Sequence, residues 1–505
     1  MRFNRCLLLA ALLALVHLAR FDVTQQPIVT DVRYYVYFAE RKVDGAIPHR
    51  DYFDNKTQLA TLAGAAFDAG GRALGVEPLL AMRVGYLALT GLAALLLFAI
   101  HRRLFGGSCI AGLLGMLAYL GFSLLGFLPA IGPLPKLLMG ILASAAALLA
   151  LRGWWLLAGT CGAVAFLDWQ IGALAGIAVL VAALLEHERR TSAVGRTVAG
   201  GAAGLAAFCL WLAWHGALGA AYRQVVSTSL ARGSSALAKK TFVERVAQIA
   251  ESVRVACPGH EWLVVVGLAG MVVFPAVAWR LRGRPEWRLA VVLGVFHYGV
   301  VAFSLTDYQA YGDLFALLAS VAFFAGVAVN AAYGGLQSAV AGMAAAPSRA
   351  FAVAAVLLAL LALRIGRPRL DIELPDRIAK GAATLAEQRS VARRINAATE
   401  GLRVLFVNCP EQLYLTGRAN VLPIAFWNRA AHHYFRSSPG EISRATLNRM
   451  IAEVQPDAVA CPTAPVQFDL ERSGDFERLD LRADDGAYEV LLLRRKGARS
   501  AGRGE

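Results

Sequence analysis

The chain has 505 residues, 57% hydrophobic and 17% charged, with a mean hydropathy of +0.53. A soluble globule carries about 25% charge, so an ordinary soluble domain is excluded. The net charge of +15 does not argue for nucleic acid, because many basic residues fall in short breaks between apolar runs, the positive-inside pattern of a membrane protein.

In chain order, the first apolar run, Cys6 to Ala19, follows Arg2 and Arg5. It reads as a retained anchor, since no small-x-small cleavage site follows it. Further runs of roughly 18–22 residues are each long enough to cross a bilayer. The predicted spans are about 4–20, 79–100, 108–128, 134–151, 154–169, 170–186, 197–216, 261–281, 287–304, 312–334 and 349–366. That makes about eleven if Trp154–Leu185 is two short helices. The basic breaks His101-Arg-Arg103, Arg152, His187-Glu-Arg-Arg190, Arg280-Leu-Arg-Gly-Arg284 and the region before Arg349 share a face with Arg2 and Arg5, which assigns that face to the cytoplasm. Loops 21–78 and 217–260, the Asp307–Asp313 turn and the C-terminal tail then share the other face. No internal repeat marks the chain as a secondary transporter.

Loop 21–78 concentrates carboxylates, cations and aromatics: Asp31-Val-Arg-Tyr-Tyr35, then Gly45-Ala-Ile-Pro-His-Arg-Asp-Tyr-Phe-Asp-Asn-Lys56. Tyr34, Tyr35, Tyr37 and Phe38 suit a helix lying in the headgroup zone. Gly45 and Pro48 break it, and Gln58 to Phe67 forms a second, mildly amphipathic segment. The alternative is a solvated loop whose charges pair with one another. Asp168 lies inside an apolar run, where a charge costs ~2.5–3.5 kcal/mol on insertion scales. It faces either the substrate or a structural hydrogen-bond centre, and the residues leave both open. Asp307 and Tyr308, with Asp313, line a pocket on that face or form a simple loop. His17 and His297 read as core or interfacial, and the Asn55-Lys-Thr57 sequon as accidental.

The seven cysteines contain no Cys-x-x-Cys pair, which disfavours zinc-finger and redox readings. Cys6, Cys109, Cys161 and Cys209 read as packing residues. The tail, from about Arg367, changes character. Arg403 to Pro410, Ser443 to Val454, Pro456 to Pro462 and Tyr488 to Arg494 read as strand, helix, strand, strand of a small α/β domain, with a disordered end. Cys409 and Cys461 each precede a proline at a strand end; neighbouring parallel strands would allow a disulfide in an oxidising compartment, with two buried thiols as the alternative.

The Asp soon after the first span and the Gly-x-x-Pro-x-Arg-Asp-Tyr-Phe-Asp-x-Lys run resemble the first extracytoplasmic loop of GT-C glycosyltransferases, especially relatives of protein O-mannosyltransferases and lipid A aminoarabinose transferases. Here Lys56 is followed by Thr57-Gln58 rather than two prolines, and Asp31 by Val32 rather than a second acid. Cys409-Pro-Glu-Gln-Leu-Tyr-Leu-Thr-Gly-Arg418 is similar to the soluble domain of such enzymes. The resemblance implies a GT-C-like transmembrane catalytic domain, 1–366, and an extracytoplasmic α/β domain, 367–505, in a bacterial inner membrane. It implies an inverting transfer of a sugar from a polyprenyl-phosphate-linked donor to a lipid, glycan or protein acceptor. In that chemistry Asp31 is the base. Lys56 and Arg50 bind the donor phosphate, with Arg223, Arg232, Lys239 and Lys240 of the second long loop as further cations. His49, Asp54, Asp168, Asp307 and Tyr308 are pocket candidates. A divalent metal ion is an optional cofactor, as no strong ligand cluster marks its site. A transporter or lipid flippase, which would leave the Asp31–Lys56 loop without a role, and a non-catalytic envelope scaffold are the competing classes.

Overall fold

The computed structural model describes residues 2–29, 31–57, 59–186, 188–228, 230, 241–308, 311–341, 384–425, 434, 443–462, 475–482 and 489–498. The predicted span 349–366 and the cations Arg232, Lys239 and Lys240 lie outside them.

Helix α1 (Arg2–Leu18) is followed by α2 (Val32–Val43) and α3 (Leu59–Ala73), both in loop 21–78. Helix α4 (Pro78–Leu104) has 27 residues and starts with proline at its first position, where the missing N–H costs nothing. It runs about 40 Å. Its last turn carries His101, Arg102 and Arg103, cations that suit the negative helix end. The predicted span 108–128 is instead two helices, α5 (Cys109–Leu120) and α6 (Ser123–Ile131), bent by 60° at Gly121-Phe122. Cys6 and Cys109, expected as packing residues, join as a disulfide. This sets the start of α1 beside the α4–α5 turn.

Helices α7 (Pro135–Leu151), α8 (Trp155–Asp168), α9 (Ala173–Leu184) and α10 (Arg190–Trp214) continue the bundle. The Trp154–Leu185 stretch is indeed two short helices: Trp169 is extended, and a tight turn at Gln170–Gly172 precedes α9. Glycines allow the close crossings that replace a hydrophobic driving force inside a membrane. A Cβ at Gly200 would strike the Leu156 carbonyl, and one at Gly159 the Thr197 carbonyl, so α8 and α10 touch backbone to backbone. After α11 (Leu218–Ala221) and a π-helical turn (Tyr222–Ser227) come α12 (Phe242–Ala256), α13 (Glu261–Arg280), α14 (Glu286–Thr306) and α15 (Tyr311–Ala341). Helix α12 starts with a Thr241/Glu244 capping box.

Among the described residues five helices are long and apolar enough to cross a membrane, or six if the bent α5–α6 pair is one span. The predicted spans at α1, α7, α8 and α9 fall on shorter apolar helices.

The described part of the tail begins with α16 (Leu385–Ala398). Then come β1 (Val404–Phe406), α17 (Pro410–Thr416), α18 (Ser443–Val454), β2 (Ala458–Pro462), β3 (Phe476–Arg482) and β4 (Glu489–Arg495). They form a four-stranded sheet in the order β1-β2-β4-β3, with β1 parallel to β2 and the other pairs antiparallel. The sequence reading omits β3, because its Phe-Glu-Arg-Leu-Asp-Leu-Arg run is charged at most of its polar positions, as edge strands often are. Phe406 pairs with Ala460, so the strand ends bearing Cys409 and Cys461 are neighbours. The Cys409 thiol faces the Ala460 carbonyl at 3.4 Å; the Cys461 side chain lies outside the described residues.

Helix α2 does not lie bare in the headgroup zone. Tyr34, Tyr35, Tyr37 and Phe38 share a buried core with Val391, Ile395, Phe406 and Leu413 of the tail. The Gln388 amide exchanges two hydrogen bonds with the Ile28 backbone, at 2.9 and 3.1 Å, and Phe53 N–H donates to Pro423 O at 2.6 Å. Loop 21–78 is thus a layer between bundle and α/β unit. On the bundle side the buried Arg83 guanidinium holds it, donating to Val23 O, Gln26 O and Ile131 O at 2.9, 2.7 and 2.8 Å.

Candidate active site

Asp31 occupies the N-cap position of α2, but its side chain makes no cap bond. It points instead to Lys56, whose ammonium lies 3.2 Å from Asp31 Oδ2. The same ammonium donates to Tyr34 OH at 2.6 Å and Tyr35 OH at 2.9 Å. An ammonium has three protons, so Asp31 and the two phenols match its donors one for one. The Lys56 backbone N–H donates to Asp54 Oδ1 at 2.9 Å, fixing the turn that delivers the side chain. The Lys56 side chain is 28% exposed and that of Asp31 57%. The carboxylate is therefore open to an incoming molecule, while the cation stands deeper.

Asp31 is open on one side but crowded by protein on the other, and that desolvation pushes its carboxyl toward the neutral form. The charges of Lys56 and Lys136 outweigh it and hold the group below its ordinary value. For Lys56, burial works against the charge, and Asp31 and Tyr35 more than offset it, so its pKa is raised. Burial pushes Tyr35 up to about 12 despite the nearby ammonium. The resting site is a carboxylate, an ammonium and two neutral phenols.

Lys136 and Trp169 are site residues that the sequence reading misses. Lys136, in the first turn of α7, pairs with Asp313 at 2.6 Å and sits 4.2 Å from the centre of the Trp169 ring. Both charged side chains are less than one-sixth exposed, at 12% and 15%. The α6–α7 turn reaches α2, because a Cβ at Gly132 would touch Val32, the neighbour of Asp31. An ionisable residue just inside an apolar span is itself a signal, and Lys136 carries it.

The remaining candidates separate. Arg50 is exposed and bound to Asp51 through two hydrogen bonds of 2.8 and 2.9 Å. Adjacent residues in a turn favour that fork. Arg223 is exposed on the π-helical turn. His49 and Asp54 are buried around Gln224. That amide lies 3.0 Å from His49 Nδ1, donates to His49 O at 3.0 Å and accepts from Asp54 N–H at 3.1 Å. His49 adopts φ 65°, a left-handed conformation that Gln224 braces. These two residues tie the first long loop to the second. Asp168 is buried and accepts the Met139 N–H through Oδ2 at 2.9 Å. Asp307 ends α14 and Tyr308 is buried beside it; of that turn, Asp313 is the residue paired with Lys136. Among the described residues no three of His, Cys, Asp and Glu gather to hold a metal ion, and Asp31 meets an ammonium rather than a second acid.

No protein-family profile matches the sequence, and no curated protein aligns with it by sequence. Solved structures do match the fold. ArnT from Cupriavidus metallidurans bound to undecaprenyl phosphate superposes with a TM-score of 0.61 at 15% identity, over 98% of this chain and 99% of that one. The oligosaccharyltransferase AglB from Archaeoglobus fulgidus, in complex with an inhibitory peptide and a dolichol-phosphate, gives 0.51 at 12%, over 91% of this chain and 69% of that one. The arabinofuranosyltransferase AftD from Mycobacteria gives 0.50 at 15%, over 99% of this chain and 42% of that one. The chain shares the fold of these three solved structures.

Proposed function

With that fold as the premise, we propose that the chain is a multi-pass membrane glycosyltransferase. It moves a sugar from a polyprenyl-phosphate-linked donor to an envelope lipid, glycan or protein on the extracytoplasmic face. The observation that carries the reading is the Asp31–Lys56–Tyr34–Tyr35 cluster, an exposed carboxylate beside a deeper, fully coordinated cation. In this reading the protein has eleven spans, a cytoplasmic N-terminus and an extracytoplasmic tail. Residues 1–366 form the catalytic domain and 367–505 the α/β domain.

The acceptor hydroxyl attacks the anomeric carbon opposite the phosphate. The new C–O bond forms as the sugar–phosphate C–O bond breaks. The hydroxyl proton passes to Asp31, and the bond's electron pair leaves with the phosphate. Such in-line displacement inverts the anomeric centre. A positioned base contributes roughly 10²–10⁴-fold, and cations facing the leaving oxygen supply the electrostatic part. Lys56 takes that role with Lys136 behind it; Arg50, occupied by Asp51, does not.

The resting ion pair also orders the reaction. While Lys56 holds Asp31, the carboxylate is a weak base. A donor phosphate competes for the same ammonium, and loosening the pair raises the basicity of Asp31 as the acceptor arrives. Donor therefore binds before acceptor.

The test is reconstitution. Purified protein in lipid is given polyprenyl-phosphate-linked sugars, and the product is read by mass spectrometry. Transfer by the wild type, with a drop of about two orders of magnitude or more in Asp31→Asn, is the expected result. Near-normal turnover by a folded Asp31→Asn variant would sink the assignment of the base. A wild type that moves the lipid between leaflets without transferring sugar would favour a flippase.

A further inference from the structure

At the far end of α4 from Asp31 the molecule has a second recess. Its volume is about 370 Å³, and it is lined by Arg102, Arg103, Leu104, Leu281, Arg284 and Glu286 beside Gly106 and Gly107. The α4–α5 turn makes one wall and the α13–α14 turn the other. Leu104 and Leu281 are buried and form an apolar floor. Arg102 Nε donates to Gly107 O at 2.9 Å, and Gly106 and Gly107 adopt φ 70° and 83°, so the backbone doubles back and leaves the rim open.

Some cations of this face have partners: Arg288 pairs with Glu186, Arg282 lies over Trp279 and Arg152 over Trp154. Among the described residues Arg103, Arg284 and Glu286 make no ion pair, although both signs line one cavity. Cations and a carboxylate held apart across a gap suit a ligand that carries both charges. The recess also lies about 40 Å from the other end of α4, the thickness of a bilayer with its headgroup zones.

We propose that this recess binds a zwitterionic phosphoethanolamine headgroup, with the phosphate on Arg103 and Arg284 and the ammonium on Glu286. Guanidinium forks match phosphate oxygens, and basic pockets between helix ends at the membrane surface take lipid headgroups. The leucine floor meets the glycerol end of such a lipid. The assignment does not depend on the glycosyltransferase reading.

The full-length protein in detergent is titrated with phosphatidylethanolamine, phosphatidylglycerol and free O-phosphoethanolamine, followed by native mass spectrometry and thermal shift. The wild type should bind phosphatidylethanolamine at least about fivefold tighter than phosphatidylglycerol. Glu286→Gln should erase that preference, and Arg103→Gln with Arg284→Gln should weaken both lipids by about tenfold. Equal binding of the two lipids by the wild type, or an unchanged preference in Glu286→Gln, overturns the proposal. So does free O-phosphoethanolamine binding as tightly as the lipid, which would mark a soluble ligand. Melting without lipid checks the fold of each variant; should the double arginine variant unfold, the Glu286→Gln preference decides alone.

Discussion

Lys56 is a point charge whose three protons meet three oxygens, and this coordination is what distinguishes it from a surface lysine. If it serves the leaving phosphate, Lys56→Ala should lower turnover by about 10²-fold or more, while Lys56→Arg keeps part of the activity. Tyr34→Phe and Tyr35→Phe each remove one acceptor and leave the charge. Each should cost about tenfold, chiefly in the donor KM, measured by initial rates over a donor series. A solvated ion pair would contribute only ~0–1 kcal/mol, so silent Lys56→Ala and Tyr→Phe variants would remove the phosphate role. Asp31 and Lys56 are legible in the sequence because the motif carries them on one short loop. Lys136 and Gln224 are not, since their roles come from partners far along the chain, Asp313 and His49.

At the scale of elements, the bundle rests on small residues. A Cβ at Gly270 of α13 would run into the Phe324 carbonyl of α15, and one at Gly267 into Val321. Gly270→Leu should therefore destabilise by about 1–3 kcal/mol or more, seen as a lower melting temperature in detergent; an unchanged melt would mean that the pair does not cross there. Helix α2 makes a pH-dependent contribution. Burial, then Asp44 and Asp68, pushes the Glu40 carboxyl up to about 8. The unfolded group, near 4.5, releases its proton first. Folding then favours the protonated form, so stability falls as pH rises between about 4.5 and about 8 and is level above. Glu40→Gln should flatten that fall, raising the melting temperature more at pH 8 than at pH 5. A gain of equal size at both would show that Glu40 does not titrate in this window. Periodicity finds α2 but not its surroundings. Four aromatics within five residues suit a headgroup zone or a protein core equally, and only the tail packed on them selects the core.

For the whole molecule, topology follows from alternation. A reporter active only outside the cytoplasm, fused after Glu505, should be active; a cytoplasmic signal would separate the tail from the face bearing Asp31. The tail also acts as a clamp. Gln388 binds Ile28 and Pro423 binds Phe53, either side of Asp31. Gln388→Leu leaves the Ile28 backbone groups buried without partners, at a cost of about 1–3 kcal/mol. It should make loop 21–78 more sensitive to protease than in the wild type, and equal cleavage rates would remove the clamp.

The sequence by itself determined the membrane class, the placement of the long apolar helices and the Asp31–Lys56 loop. Apolar run length, basic breaks and a compact motif are local properties written along the chain. Only the tertiary structure decided that the span 108–128 is bent and that α2 is covered by the tail. It likewise decided that Arg50 turns to Asp51 and that Lys136 pairs with Asp313. Each depends on which atoms meet across long separations, where short-range electrostatics and side-chain packing choose among partners that periodicity leaves equivalent.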